Sequence, residues 1–300
     1  RALSSIIIYH FLIFMRYRCN YNIHGRKISR DKNNDMGLKL SEDEIITNIS
    51  AFYAFAIIIA IFTLLMILET GLPTATLYMV WIFYALIYTR IVDGEGYETL
   101  GLKINPYSIG YFTIGVFLGF FLVTVVIYVM IMLGIAIISD NLMQPYYLIN
   151  TIPFVLIQTS AEEIVFRGYP LKHLPKITDE DKAILLTAVI FSLMHTFNVG
   201  YNIIAFVFLL TAGYLLGKLY LSSGTLWVSI GFHLAWNLAE GPIYGTPVSG
   251  NVQDFSLFLV KLEGEWFLTG GEFGIEASII TVIIMAITVI IYHLGRTIKK

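Results

Sequence analysis

Two adjacent carboxylates, Glu162 and Glu163, stand inside an apolar run, with Arg167 four residues beyond the second. A charge at the centre of a bilayer costs about 2.5 kcal/mol or more, so such residues are rare there and functional by default. The surroundings make this setting a real one. Of 300 residues, 57% are hydrophobic and only 13% charged, and mean hydropathy is +0.75. That balance lies outside the soluble range. The apolar residues also come in long runs rather than scattered, which predicts an all-α fold: a polytopic transmembrane helical bundle.

Apolar segments fall at about 47–68, 74–92, 107–138, 146–170, 183–199, 202–221, 225–240 and 274–295. Judged against the ~20 residues needed to cross a bilayer, they predict eight spans. A shorter run at 5–15 reads as the end of another span or an interfacial helix. Segment 107–138 is too long to cross upright, so it is expected to tilt or kink, with Gly115, Gly119 and Gly134 as the weak points. Residues 1–45 form an N-terminal segment with a basic stretch, and 46–300 a single helical domain. The chain opens on Arg1 rather than Met, so its true start is expected to lie upstream.

Basic residues set the orientation. The stretch 16–45 and every second connection after it hold 16 of the 19 Lys and Arg. These connections carry Arg90 and Lys103, then Lys172, Lys176 and Lys182, then Lys218, then Arg296, Lys299 and Lys300. They are expected to be cytoplasmic in a multi-pass protein of the cell membrane. The long opposite connection, 241–273, contains only Lys261, and its glycines and prolines predict ordered turns. With the basic residues spread over short loops, nucleic-acid binding is not expected. A single cysteine, Cys19, allows no intrachain disulfide and no cysteine metal cluster.

Two further polar pairs lie on later apolar segments: Phe191 with His195, and His233 with Asn237. At a helical rise of about 1.5 Å per residue, Glu162 and His233 sit ~12 Å from the cytoplasmic edge, and His195 and Asn237 ~18 Å. Polar residues of three segments therefore share one layer near the cytoplasmic side. Glu163 and Arg167 are i, i+4 and can pair, which lowers the cost of burying both. Glu162 points about 100° away. Glu163 is thus expected to orient, and Glu162 to do chemistry as a general base. His233 and Asn237 share a face and can both address one substrate carbonyl.

Bland readings exist for each element alone. A buried Glu–Arg pair can simply staple helices, and His233 with Asn237 can be interhelical hydrogen-bond glue. Together, at one depth, they point to a site. His10, His24, His173 and His293 are assigned no role. The HExxH zinc-protease pair is absent, and so is a G-x-S-x-G nucleophile elbow. What remains is water activated by a carboxylate, with His and Asn stabilising the oxyanion. No cofactor is expected in that version. A two-His, one-carboxylate zinc site made of Glu162, His195 and His233 stays open as an alternative.

The three strings together resemble the CAAX protease and bacteriocin-processing (CPBP, or ABI) family of intramembrane endopeptidases, in its prokaryotic branch. Glu162-Glu163-x-x-x-Arg167 is similar to the first motif, Phe191-x-x-x-His195 to the second and His233-x-x-x-Asn237 to the third. Phe166-Arg167-Gly168, Ser223-Gly224-Thr225-Leu226-Trp227, Pro247-Val248-Ser249-Gly250 and Leu268-Thr269-Gly270-Gly271 add to the likeness. It covers a core of about 95–295. It implies hydrolysis of a membrane-tethered peptide or protein, lipidated in the eukaryotic CAAX branch, with the first glutamate activating water. Membrane lipid is an implied partner. A catalytically silent scaffold on the same fold, bound to another membrane protein, is the competing expectation.

Overall fold

The structure, a computed structural model, describes residues 73–140, 145–253 and 255–297, with isolated positions between 55 and 64. The expected segment 1–45, the run at 5–15, Cys19, most of the first expected span and the terminal lysines lie outside the described residues. The rest is mostly helical. Helix α1 (Thr74–Tyr88) continues through a wide turn, Thr89–Asp93. Helices α2 (Pro106–Met132), α3 (Pro145–Glu163), α4 (Tyr169–His173), α5 (Glu180–Met194), α6 (Ile203–Ser223), α7 (Trp227–Leu238) and α8 (Ile279–Thr297) follow. Among the described residues, four helices are long and apolar enough to cross a membrane: Thr74–Asp93, Pro106–Met132, Ile203–Ser223 and Ile279–Arg296.

Local chemistry explains where the helices begin. Asn105 caps α2 by accepting from the Ser108 amide at 2.9 Å, and Pro106 follows at the first helical position. Asp179 caps α5 through the Lys182 amide at 2.8 Å, with Glu180 and Asp181 in the first turn, where the helix dipole favours acids. Asn202 caps α6 through the Ile204 and Ala205 amides. Gly224 closes that helix at φ 68°, a left-handed conformation suited to glycine.

The expected single helix over 107–138 stops at Met132. Gly134 turns the chain at φ 72°, and Ala136–Asp140 becomes strand β1. Its partner is β2 (Phe258–Leu262), antiparallel, with Ala136 opposite Leu262 and Asp140 opposite Phe258. The fold is therefore not purely α. Ile137 and Ile138 are β-branched residues that suit a strand, and the ladder satisfies backbone groups beyond the helix end. Gly115 and Gly119 do not break α2 either; they let α7 approach closely. A Cβ at Gly115 would lie 2.1 Å from the Val228 carbonyl oxygen, and one at Gly119 2.3 Å from that of Phe232. Gly231 returns the fit against the Phe112 carbonyl at 2.3 Å. Small residues four apart are the usual device for close helix contact in lipid.

Around this α2–α7 pair, α3 packs on α7 and α1 on α3, while α6 lies between α5 and α8. Buried hydroxyls fix the site-bearing helices. Ser192 of α5 donates to the Phe206 carbonyl of α6 at 3.1 Å, and Ser229 of α7 donates to Leu216 of α6 at 2.9 Å. The start of α7 is anchored by the Leu226 amide on Gly101 at 2.9 Å.

Candidate active site

Glu162 and Glu163 are the last two residues of α3, and both are buried. The chain then widens into a π turn, Ile164–Gly168, which carries Arg167. Arg167 Nη1 donates to Glu163 Oε1 at 2.9 Å, with both side chains fully enclosed. The guanidinium carbon lies over Phe191, 4.1 Å from the ring centre, where the π face favours a cation. Gly213 of α6 leaves it room: a Cβ there would sit 3.1 Å from Nη2.

His233, on α7, completes a triad. Its Nδ1 donates to Glu163 Oε1 at 2.9 Å, the oxygen that also takes Arg167. An ionised carboxylate can only accept, so this bond fixes which imidazole nitrogen carries a proton. The other nitrogen, Nε2, faces Glu162 Oε2 at 3.7 Å, too far for a hydrogen bond. Glu162 is held from its own helix, by Gln158 Nε2 to Oε1 at 3.3 Å. Glu163 is thus committed to neighbours, while Glu162 keeps Oε2 toward the imidazole.

The segment expected to span 183–199 ends as a helix at Met194, and His195 caps it. His195 Nδ1 donates to the Phe191 carbonyl at 2.8 Å, because a carbonyl only accepts. Its Nε2 is then free of that bond. Phe191 is a hub, with ring centres 4.8 Å from His195, 5.3 Å from Phe166 and 6.2 Å from His233. Asn237 lies one turn beyond His233 on α7 and is buried.

Glu162, His195, His233 and Asn237 all line one cavity of about 510 Å³. Much of its wall is apolar and aromatic, including Tyr78, Trp81, Phe154, Phe191, Phe208 and Met194. Four of the six expected site residues thus reach a common space, and Glu163 and Arg167 stand behind it. The cavity runs along one face of α3, from Thr151 through Phe154, Val155 and Gln158 to Glu162. Its far end is bounded by Thr74, Asn198, Ser249, Asn251 and Gln253. That end lies away from the basic connections. On the basic side, Arg167, Tyr169, Leu171 and Leu174 are buried.

Reading the sequence left out Gln158, Ser249, Asn251, Gln253 and Glu276, all of which line the cavity. Gln158 is one helical turn before Glu162, a spacing that could have identified it. The others come from the return of 241–278 to the site, which no local pattern shows. Among the described residues, no group of three or more His, Cys, Asp and Glu is arranged to hold a metal ion.

No curated protein matches the chain. Residues 144–239 match a family model described as Type II CAAX prenyl endopeptidase Rce1-like, and this match begins before α3 and ends just past Asn237. All three polar strings fall inside it. Over residues 144–239 the chain is thus similar to the Rce1-like family, the CPBP family.

Proposed function

We propose that the chain is an intramembrane endopeptidase that hydrolyses a peptide bond of a membrane-tethered, CAAX-like substrate. The observation that carries this reading is the shared cavity: a buried carboxylate, two imidazoles and a carboxamide from three elements line one space. The family match over 144–239 supports it.

In this reading a water molecule taken between Glu162 Oε2 and His233 Nε2 gives its proton to Glu162. The resulting hydroxide attacks the carbonyl carbon of the scissile bond. The Asn237 amide N–H, with His195 Nε2 in its protonated form, stabilises the negative charge that develops on the carbonyl oxygen. Glu162 then returns its proton to the leaving amine, which restores the site. Glu163 and Arg167 orient His233 and touch no reacting atom. The apolar wall takes the lipid or apolar side chains of the substrate. No cofactor enters this scheme. The same reading has the chain crossing the cell membrane eight times, with the basic connections cytoplasmic.

The test is cleavage of a lipid-anchored peptide by purified protein. Glu162→Ala, His195→Ala and His233→Ala should each abolish cleavage while the protein still purifies folded, and a chelator should leave turnover unchanged. Full turnover in the Glu162→Ala variant overturns the mechanism. Chelator-sensitive turnover favours the zinc alternative. A partner complex that survives Glu162→Gln, with no cleavage under any condition, favours the scaffold.

A further inference from the structure

Beyond α7 the chain folds back to form the far end of the cavity, and the matched segment does not reach that far. Ser249 is held there in a left-handed conformation, φ 46°, the one non-glycine residue of positive φ among the described residues. Neighbours hold it in that conformation. Asn198 Nδ2 donates to the Ser249 carbonyl at 2.8 Å, and the Gly250 amide donates to Phe273 at 2.8 Å. Residues outside the favoured regions persist only when their surroundings over-determine them, and they cluster at functional sites. Here the effect is to aim the Ser249 hydroxyl, which donates to Glu276 Oε2 at 2.5 Å.

Glu276 lines the cavity together with Glu162, His195 and His233, and it is 4% exposed. Close by is a second acid, Glu240, fully enclosed. Its Oε2 accepts from Trp236 Nε1 at 3.0 Å, but its Oε1 has no hydrogen-bond partner. Gly274 leaves that oxygen its space, since a Cβ there would come within 3.1 Å of it. Among the described residues no Lys or Arg pairs with either acid, no Lys or Arg lines the cavity, and Arg167 is committed to Glu163. Buried carboxylates without a cation are costly, and a bound positive charge relieves that cost.

We propose that Glu276, backed by Glu240 and oriented by Ser249, recognises a cationic side chain (a lysine or arginine) of the peptide substrate. The proposal rests on the peptidase reading for its ligand being a peptide, and it adds a charge requirement that the matched segment does not specify. The catalytic groups act on the backbone, while this acidic end selects which peptide is held.

The experiment uses full-length protein in phosphatidylcholine nanodiscs and a series of lipid-anchored peptides. One lysine is moved residue by residue along an apolar background, and each peptide has a norleucine twin. Binding is measured on the Glu162→Gln protein, and cleavage on the wild type. At one or two positions the lysine peptide should bind at least tenfold more tightly than its twin. That preference should vanish in the Glu162→Gln, Glu276→Gln double variant, with the norleucine peptide unaffected. Twins that bind equally at every position overturn the proposal, and this comparison needs no change at Glu276. Equal weakening of both peptides by Glu276→Gln also overturns it, by showing a packing role. Charge-selective binding without any cleavage would retain this site and reject the peptidase reading.

Discussion

His233 Nδ1 and Arg167 Nη1 converge on the same oxygen, Glu163 Oε1, each at 2.9 Å. One carboxylate thereby locks the end of α3, the wide turn after it and the middle of α7 into a single arrangement. The lock turns His233 Nε2 toward Glu162. The roles proposed for the two adjacent glutamates rest on this difference in partners.

Breaking the pair by one member should cost more than removing both. Glu163→Gln or Arg167→Met leaves a fully enclosed charge without its counter-ion, a loss of about 3–5 kcal/mol. The double variant should recover much of that stability in thermal unfolding yet remain a poor catalyst, because His233 has lost its acceptor. Equal unfolding temperatures for both single variants and the wild type would contradict the arrangement.

Asn237→Ala should act on the rate rather than on binding. Removing one oxyanion donor typically costs about 10²- to 10³-fold in kcat. Steady-state kinetics on a lipid-anchored peptide should show that drop with KM little changed. A variant that raises KM and spares kcat would place Asn237 in substrate binding.

The α2–α7 contact supports the site from behind. Gly119→Val would drive a branched side chain into the Phe232 carbonyl, next to His233. Overpacking of this kind costs about 1–3 kcal/mol or more. Unfolding temperature and peptidase rate should fall together, whereas Gly110→Ala, where a Cβ meets nothing within 4 Å, should change neither.

Acid sensitivity should arise at His173, the last residue of α4 and outside the spanning segments. Burial pushes its imidazole below the ordinary histidine value and outweighs the opposing pull of the hydrogen-bonded Asp93 carboxylate. The unfolded chain therefore takes up the proton first on acidification. The stability this residue contributes is full above about pH 6.5 and is lost as pH falls from there through its lower folded value. Unfolding temperature should drop from pH 7 to pH 5, and His173→Gln should reduce that drop. An identical pH profile in the variant would contradict the assignment.

Much of the candidate site was legible in the sequence because it lies in short periodic strings. Glu163–Arg167 and His233–Asn237 are one helical turn apart, so spacing alone puts each pair on one face. Capping at Asn105, Asp179 and Asn202 is local too, but the expected segment starts at 107, 183 and 202 rested on the apolar runs alone. Strand β1 was not. Ile135 to Ile138 read as continued apolar helix, and only pairing with residues more than a hundred positions later makes them extended. The acidic far wall was hidden likewise, because Ser249 and Glu276 meet through a long return of the chain. Gly115 and Gly119 looked like weak points since a sequence shows a missing side chain but not the neighbour that fills its place.

The account stands on Glu162 as the group that activates water, and the most direct measurement is single-turnover cleavage of a lipid-anchored peptide by wild type and Glu162→Gln protein of equal unfolding temperature. The account predicts cleavage by the wild type and a loss of at least about 10²-fold in the variant, the scale of a positioned acid–base group. Wild-type rates in Glu162→Gln would contradict it.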